Sequence, residues 1–246
     1  MSGMPGYTTP EPERSALLTI DVQEDFIRPG APAEIRGTFE RLPAMRRVVD
    51  AYREHGLPII HVVRLYLENG KNADLCRREM IEGGARIVVP GSAGAELVEA
   101  LRPDVKVPLD AYSLLSGKLQ RLAGNEWMMY KPRWDAFYQT PLEEHLRALG
   151  VTTVVVAGCN FPNCARATSD GASMRDFRIV MISDAVSRVS EQGLAELRGI
   201  GVSTLASEES LATLSVALQR PRPLSSSRTR LSLKATNPRS FTSPRN

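Results

Sequence analysis

Cys164 is the residue of this 246-residue chain best suited to act as a nucleophile, and Asp21 and Lys131 are the ionisable residues that could activate it. A thiol attacks as the thiolate, which requires a proton acceptor and a nearby positive charge. Asp21 can take the proton and Lys131 can supply the charge. Once protonated, the same Asp21 can return the proton to a leaving amine. The backbone N–H groups of Asn160 and Cys164 could hold a carbonyl oxygen as it becomes an oxyanion, an effect worth roughly 2.7–4 kcal/mol per donor. Taken singly, each residue has a plain structural explanation: Asp21 can cap a loop, Lys131 can be solvated and Cys164 can be packing. What joins them is their position at the ends of strands.

The stretch from Val151 to Ala157 is uncharged and rich in β-branched residues, as a parallel strand covered on both faces should be. It stops at Gly158, and Cys164 lies on the turn beyond it. Asn163 would cap a helix running to Asp176, which places Cys164 at the first helical position, where the dipole favours a thiolate. Asp21 follows a buried strand, 16–20, and Lys131 follows another, 126–130. Further strands are predicted over 58–63, 177–182 and 202–205. Helical spacing recurs over 42–52, 95–101, 142–149, 191–198 and 208–218. Strand and helix alternating six times predict an α/β fold. We expect a three-layer, doubly wound, Rossmann-like sheet of about six parallel strands with helices on both faces. In such a sheet the carboxyl ends of all strands share one edge, so Asp21, Lys131 and Cys164 can converge there. The segment 66–90 reads as a long loop with a short helix. The segment 105–124 has no place in the alternation and reads as a lid or a subunit contact.

Composition bounds the reading further. The length suits one domain over 15–219, preceded by a flexible arm at 1–14. Residues 220–246 carry seven basic residues and no acidic one; removing them from 31 Lys+Arg leaves 24 against 28 Asp+Glu, a net of −4 for the remainder. That basic tail is rich in Ser and Pro and is expected to be disordered. With Phe241 its lone aromatic, it lacks the interleaving that nucleic-acid binding uses. No apolar run is long enough for a membrane span, no secretory signal is evident, and three cysteines do not make a disulfide framework. A cytoplasmic protein is expected, without nucleic-acid or membrane partners and assembled as a homo-oligomer.

Of the three histidines, His55 and His145 read as surface residues and His61 lies inside a strand, so a Cys164–His61 dyad is disfavoured. No histidine cluster suggests a metal, and no cofactor is expected. Phe26, Trp134 and Phe137 flank Asp21 and Lys131 in sequence and would wall a pocket that excludes water. Aromatic walls, together with the negative body, favour a neutral or cationic amide over an acidic one.

Four segments, Leu18–Phe26, Tyr130–Phe137, Val156–Cys164 and Ile182–Val186, resemble those of the isochorismatase-like cysteine hydrolases in order and spacing, over about residues 15–215. The resemblance implies that Asp21, Lys131 and Cys164 form a catalytic triad for amide hydrolysis through a thioester. It also implies a non-proline cis peptide between Cys159 and Asn160. True isochorismatases typically carry Gly where this chain has Cys164, and nicotinamidases carry an Asp and two His as metal ligands that 64–69 does not supply. The turn Asn160-Phe161-Pro162-Asn163 is similar to the streptothricin hydrolase branch, which opens a lactam. Two alternatives stand beside lactam hydrolysis: an N-carbamoyl or ureido hydrolase, and a non-enzymatic protein that uses Cys164 as a reactive thiol.

Overall fold

The computed structural model describes residues 6–219. Its strands are β1 (Ser15–Ile20), β2 (Ile59–Val63), β3 (Gln120–Ala123), β4 (Glu126–Tyr130), β5 (Thr153–Gly158), β6 (Arg178–Val186) and β7 (Ser203–Leu205). They form one sheet in the order β3-β4-β2-β1-β5-β6-β7. Six of the seven are parallel; β3 runs antiparallel to β4. The helices are α1 (Glu24–Ile27), α2 (Leu42–Glu54), α3 (Leu75–Glu82), α4 (Ala111–Leu115), α5 (Leu142–Ala148), α6 (Arg166–Ser173), α7 (Glu191–Gly199) and α8 (Ser207–Gln219).

Successive residues of a strand face opposite sides of the sheet, and both sides are covered. Leu17, Ile59, Val155 and Val180 face α2 and α8, which bury Met45, Val48, Val49 and Leu214 against them. Leu18, Ile60, Val156 and Ile179 face α5, α6 and α7, which bury Leu142, Leu146, Ala172 and Leu197. This is why the strands read as unbroken apolar runs rather than alternating ones. Connections pass from β1 outward through β2 to β4, then return to β5 on the other side of β1. The reversal opens a crevice at the carboxyl ends of β1 and β5, the place where open α/β sheets bind ligands.

Three details differ from the sequence reading. The segment 105–124 holds α4 and the edge strand β3, whose hairpin with β4 adds a seventh strand; its residues Gln120 and Arg121 are only partly covered or exposed, so the apolar signal was weak. The expected helix over 95–101 is two short 3-10 turns, Ala93–Ala95 and Glu99–Leu101. Residues 11–14, assigned to the flexible arm, are fastened to the sheet: Glu11 N–H donates to Thr153 Oγ1 (2.9 Å), and its carboxylate pairs with Arg178 (3.0 Å). The basic tail 220–246 lies outside the described residues. Among the described residues, no helix is long and apolar enough to cross a membrane.

Candidate active site

Asp21, Lys131 and Cys164 meet at the carboxyl edge of the sheet. Asp21 directly follows β1 and adopts a left-handed backbone (φ 53°), a conformation that Asp tolerates better than most residues. Its N–H donates to Val62 O (2.8 Å), while the Lys131 N–H donates to Val63 O (3.0 Å), so the end of β2 fixes both. Lys131 starts two strands from β1, about 10 Å across the sheet, and only a long side chain spans that gap. Its Nζ lies 2.9 Å from Asp21 Oδ2 and donates to Cys164 Sγ at 3.2 Å. Lys131 is wholly buried and Asp21 nearly so. The other Asp21 oxygen, Oδ1, is buried with no hydrogen-bond partner among the described residues. It is a free acceptor beside the thiol.

Cys164 does not sit at the first position of a capped helix. After β5 the chain forms a π-helical turn, Phe161–Ala165, entered at Asn160 without a side-chain cap, and α6 begins only at Arg166. Cys164 is therefore the fourth helical residue rather than the first, and Asn163 does not cap it. Burial pushes the Cys164 thiol up to about 12, the Asp21 carboxylate adds to the effect, and the Lys131 ammonium offsets only part of it. Burial alone would lower the Lys131 pKa, but Asp21 and Cys164 outweigh it and hold the ammonium above its ordinary value. The arrangement can thus move a proton from sulfur to Asp21 under a fixed positive charge, without holding a free thiolate beforehand.

The turn is anchored from three sides. At Gly158 (φ 112°) a Cβ would come within 2.3 Å of Ile20 O, so this approach of β5 to β1 admits glycine alone. Cys159 N–H donates to Ile20 O (2.8 Å) and its thiol to Asp21 O (3.0 Å), which ties the turn to the residue it must face. Phe161 N–H donates to Ser187 O (2.9 Å) beyond β6. The Cys159–Asn160 peptide is cis. The Asn160 N–H donates to no acceptor among the described residues, and Asn160 and Cys164 line the same cavity.

That cavity, about 200 Å³, is also lined by Asp21, Phe26, Arg64, Tyr66, Arg77 and Trp134. Of the three aromatic residues proposed as its walls, Phe26 and Trp134 take that place. Phe137 does not: it is 4% exposed on the opposite face of the sheet, with its ring centroid 5.7 Å from that of Phe177. Only Asp135 and Ala136 separate Trp134 from Phe137, and the intervening turn sends them to different sides. Sequence reasoning missed Arg64, Tyr66 and Arg77. Arg64 was within reach of the same strand-end logic, since it directly follows β2. Arg77 was not, because α3 lies in a stretch with no clear periodicity.

His61 serves structure. Its Nδ1 meets Thr19 Oγ1 (2.6 Å) and its Nε2 meets Glu126 Oε1 (2.7 Å), so neither nitrogen is available to Cys164. Among the described residues, no three His, Cys, Asp or Glu side chains gather as a metal site would need.

The doubly wound parallel sheet thus brings a Cys, a Lys and an Asp together at its switch point. The chain belongs to the isochorismatase family, whose domain matches residues 15–209. An Arabidopsis thaliana protein named a probable inactive nicotinamidase is 31% identical over 196 residues, covering 77% of this chain and 91% of that one. Ureidoacrylate amidohydrolase from Methylobacterium radiotolerans is 28% identical, over 75% of this chain and 71% of its own. The crystal structure of an isochorismatase family protein from Desulfovibrio vulgaris is 31% identical with a TM-score of 0.70, covering 84% of this chain and 99% of that one.

Proposed function

We propose that this protein is a cysteine hydrolase that cleaves a C–N bond of a small amide or ureido compound through a thioester on Cys164. The observation that carries the reading is the placement of Lys131 Nζ between Asp21 Oδ2 and Cys164 Sγ, buried beside the cavity. As Sγ bonds to the carbonyl carbon, the thiol proton passes to Asp21. The carbonyl π pair moves to oxygen, where the Asn160 and Cys164 N–H groups receive it. The oxyanion collapses, the C–N bond breaks, and Asp21 returns its proton to the departing nitrogen. Water then attacks the thioester, giving one proton to Asp21; the C–S bond breaks and that proton restores the thiol. Lys131 stabilises the negative charge wherever it rests between sulfur and carboxylate.

A thiol pushed up to about 12 suits this better than a sensor, which needs a thiolate at rest. The cavity of about 200 Å³ suits a compact substrate or one ring of a larger one, which weighs against a molecule of streptothricin's size entering whole. The named activity of the Methylobacterium relative lends support to a ureido group. The test is mass spectrometry of the protein during turnover of a panel of small amides, lactams and ureides. An acyl or carbamoyl adduct on the Cys164 peptide is expected, with Cys164→Ala losing more than about a thousandfold in rate. Activity of Cys164→Ala within tenfold of the native protein would overturn the proposal.

A further inference from the structure

The charge of the cavity differs from that of the body. Around it stand three cations, Arg64, Lys131 and Arg77, and two carboxylates, Asp21 and Asp74. Lys131 is taken by Asp21. Arg64 is fully committed: it donates to Lys131 O (3.1 Å) and Tyr66 Oη (3.1 Å) and pairs with Asp74. Arg77, half-buried on α3, forms no ion pair and no side-chain hydrogen bond with any described residue, yet it lines the cavity with Cys164. Its field reaches the site. Tyr66 and Cys159 are both raised by burial, and Arg77 is among the charges that pull them back down.

An arginine that is partly desolvated and lacks an anionic partner is incomplete, and its planar fork fits a carboxylate bidentately. We infer that Arg77 is a carboxylate subsite, so that the substrate is an amide or ureido acid whose anionic end docks on α3 while its carbonyl reaches Cys164. This rests on the proposed hydrolysis for the reaction but not for the binding, and it sets aside the neutral or cationic preference read from the body's net charge. The remaining walls near Cys164, Phe26 and Trp134, exclude water without supplying a competing anion.

Two alkylating probes separate the subsite from the hydrolysis. Iodoacetate and iodoacetamide are nearly isosteric and differ in charge; in each, the Cys164 sulfur displaces iodide. The background should be Cys76→Ser, because exposed Cys76 lines the same cavity. The ratio of iodoacetate to iodoacetamide alkylation at Cys164, normalised to that of a free thiol, is expected to fall at least about tenfold in Arg77→Gln and to be largely retained in Arg77→Lys. A ratio unchanged within twofold in Arg77→Gln would overturn the inference. In parallel, kcat/KM for succinamate relative to succinamide should fall in Arg77→Gln, chiefly through KM. If no member of the panel of amides, lactams and ureides is hydrolysed but the alkylation ratio depends on Arg77, the hydrolase reading fails and the subsite stands. The converse result leaves the hydrolase and removes the subsite.

Discussion

Asp21→Asn should make Cys164 easier to ionise and at the same time disable hydrolysis. Lys131 Nζ is 2.9 Å from Asp21 Oδ2 and 3.2 Å from Cys164 Sγ, so carboxylate and sulfur are no more than 2.9 plus 3.2, or 6.1 Å, apart. At about 6 Å and an effective dielectric of about 20, repulsion between carboxylate and thiolate is about 3 kcal/mol. Removing it should raise the thiolate population roughly a hundredfold. In Asp21→Asn, Lys131 keeps its charge and has the thiolate as its remaining anionic partner, which acts in the same direction. Alkylation of Cys164 by iodoacetamide at a fixed, mildly alkaline pH should therefore accelerate, while amide turnover drops by about 10²–10⁴, the usual contribution of a positioned acid–base group. A thermal melt checks that the variant is folded. Slower alkylation in Asp21→Asn would show that Asp21 ionises the thiol at rest. Turnover within tenfold of the native protein would show that it does not carry the proton. Either result would refute the reasoning.

Gly158→Ala should destabilise by roughly 2–6 kcal/mol, combining an unfavourable backbone conformation (φ 112°) with a Cβ 2.3 Å from Ile20 O; Gly199→Ala, with open space around it near the end of α7, should be neutral or stabilising by up to about 1 kcal/mol. Urea unfolding of the pair checks this, and equal midpoints would contradict the steric account. Acid should unfasten the pairing of β4 to α2: although burial opposes it, Arg53 and His61 draw the Glu126 carboxyl from 4.5 down to about 2. A carboxyl lowered in the folded state contributes its stability above its ordinary pKa and loses it as pH falls from about 4.5 to about 2, here at most about 3 kcal/mol. The stability gap between the native protein and Glu126→Gln should close across that window; a gap constant with pH would show that the pairing does not depend on the charge.

The strands were legible in the order of residues alone, because burial on both faces leaves a continuous apolar run that needs no knowledge of its neighbours. So was the place of Asp21, Lys131 and Cys164, because a residue that ends a parallel strand lies at the reactive edge whatever the strand order. Features that depend on distant packing were not legible. The hairpin of β3 on β4 came from an edge strand with little to bury, and Phe137 parted from Trp134 because one short turn feeds both the cavity and the opposite core. The state of the thiol belongs to the same class: sequence suggested a helix terminus and a thiolate, whereas burial and the Asp21 carboxylate push Cys164 up to about 12. Arg77 reaches the cavity only because a weakly patterned helix, α3, folds over the sheet edge, and no local rule of propensity or period could have placed its charge there. Neighbouring residues set backbone type and strand ends through short-range sterics and burial; solvation, charge pairing and cavity shape are sums over residues far apart in the chain, and only folding brings them together.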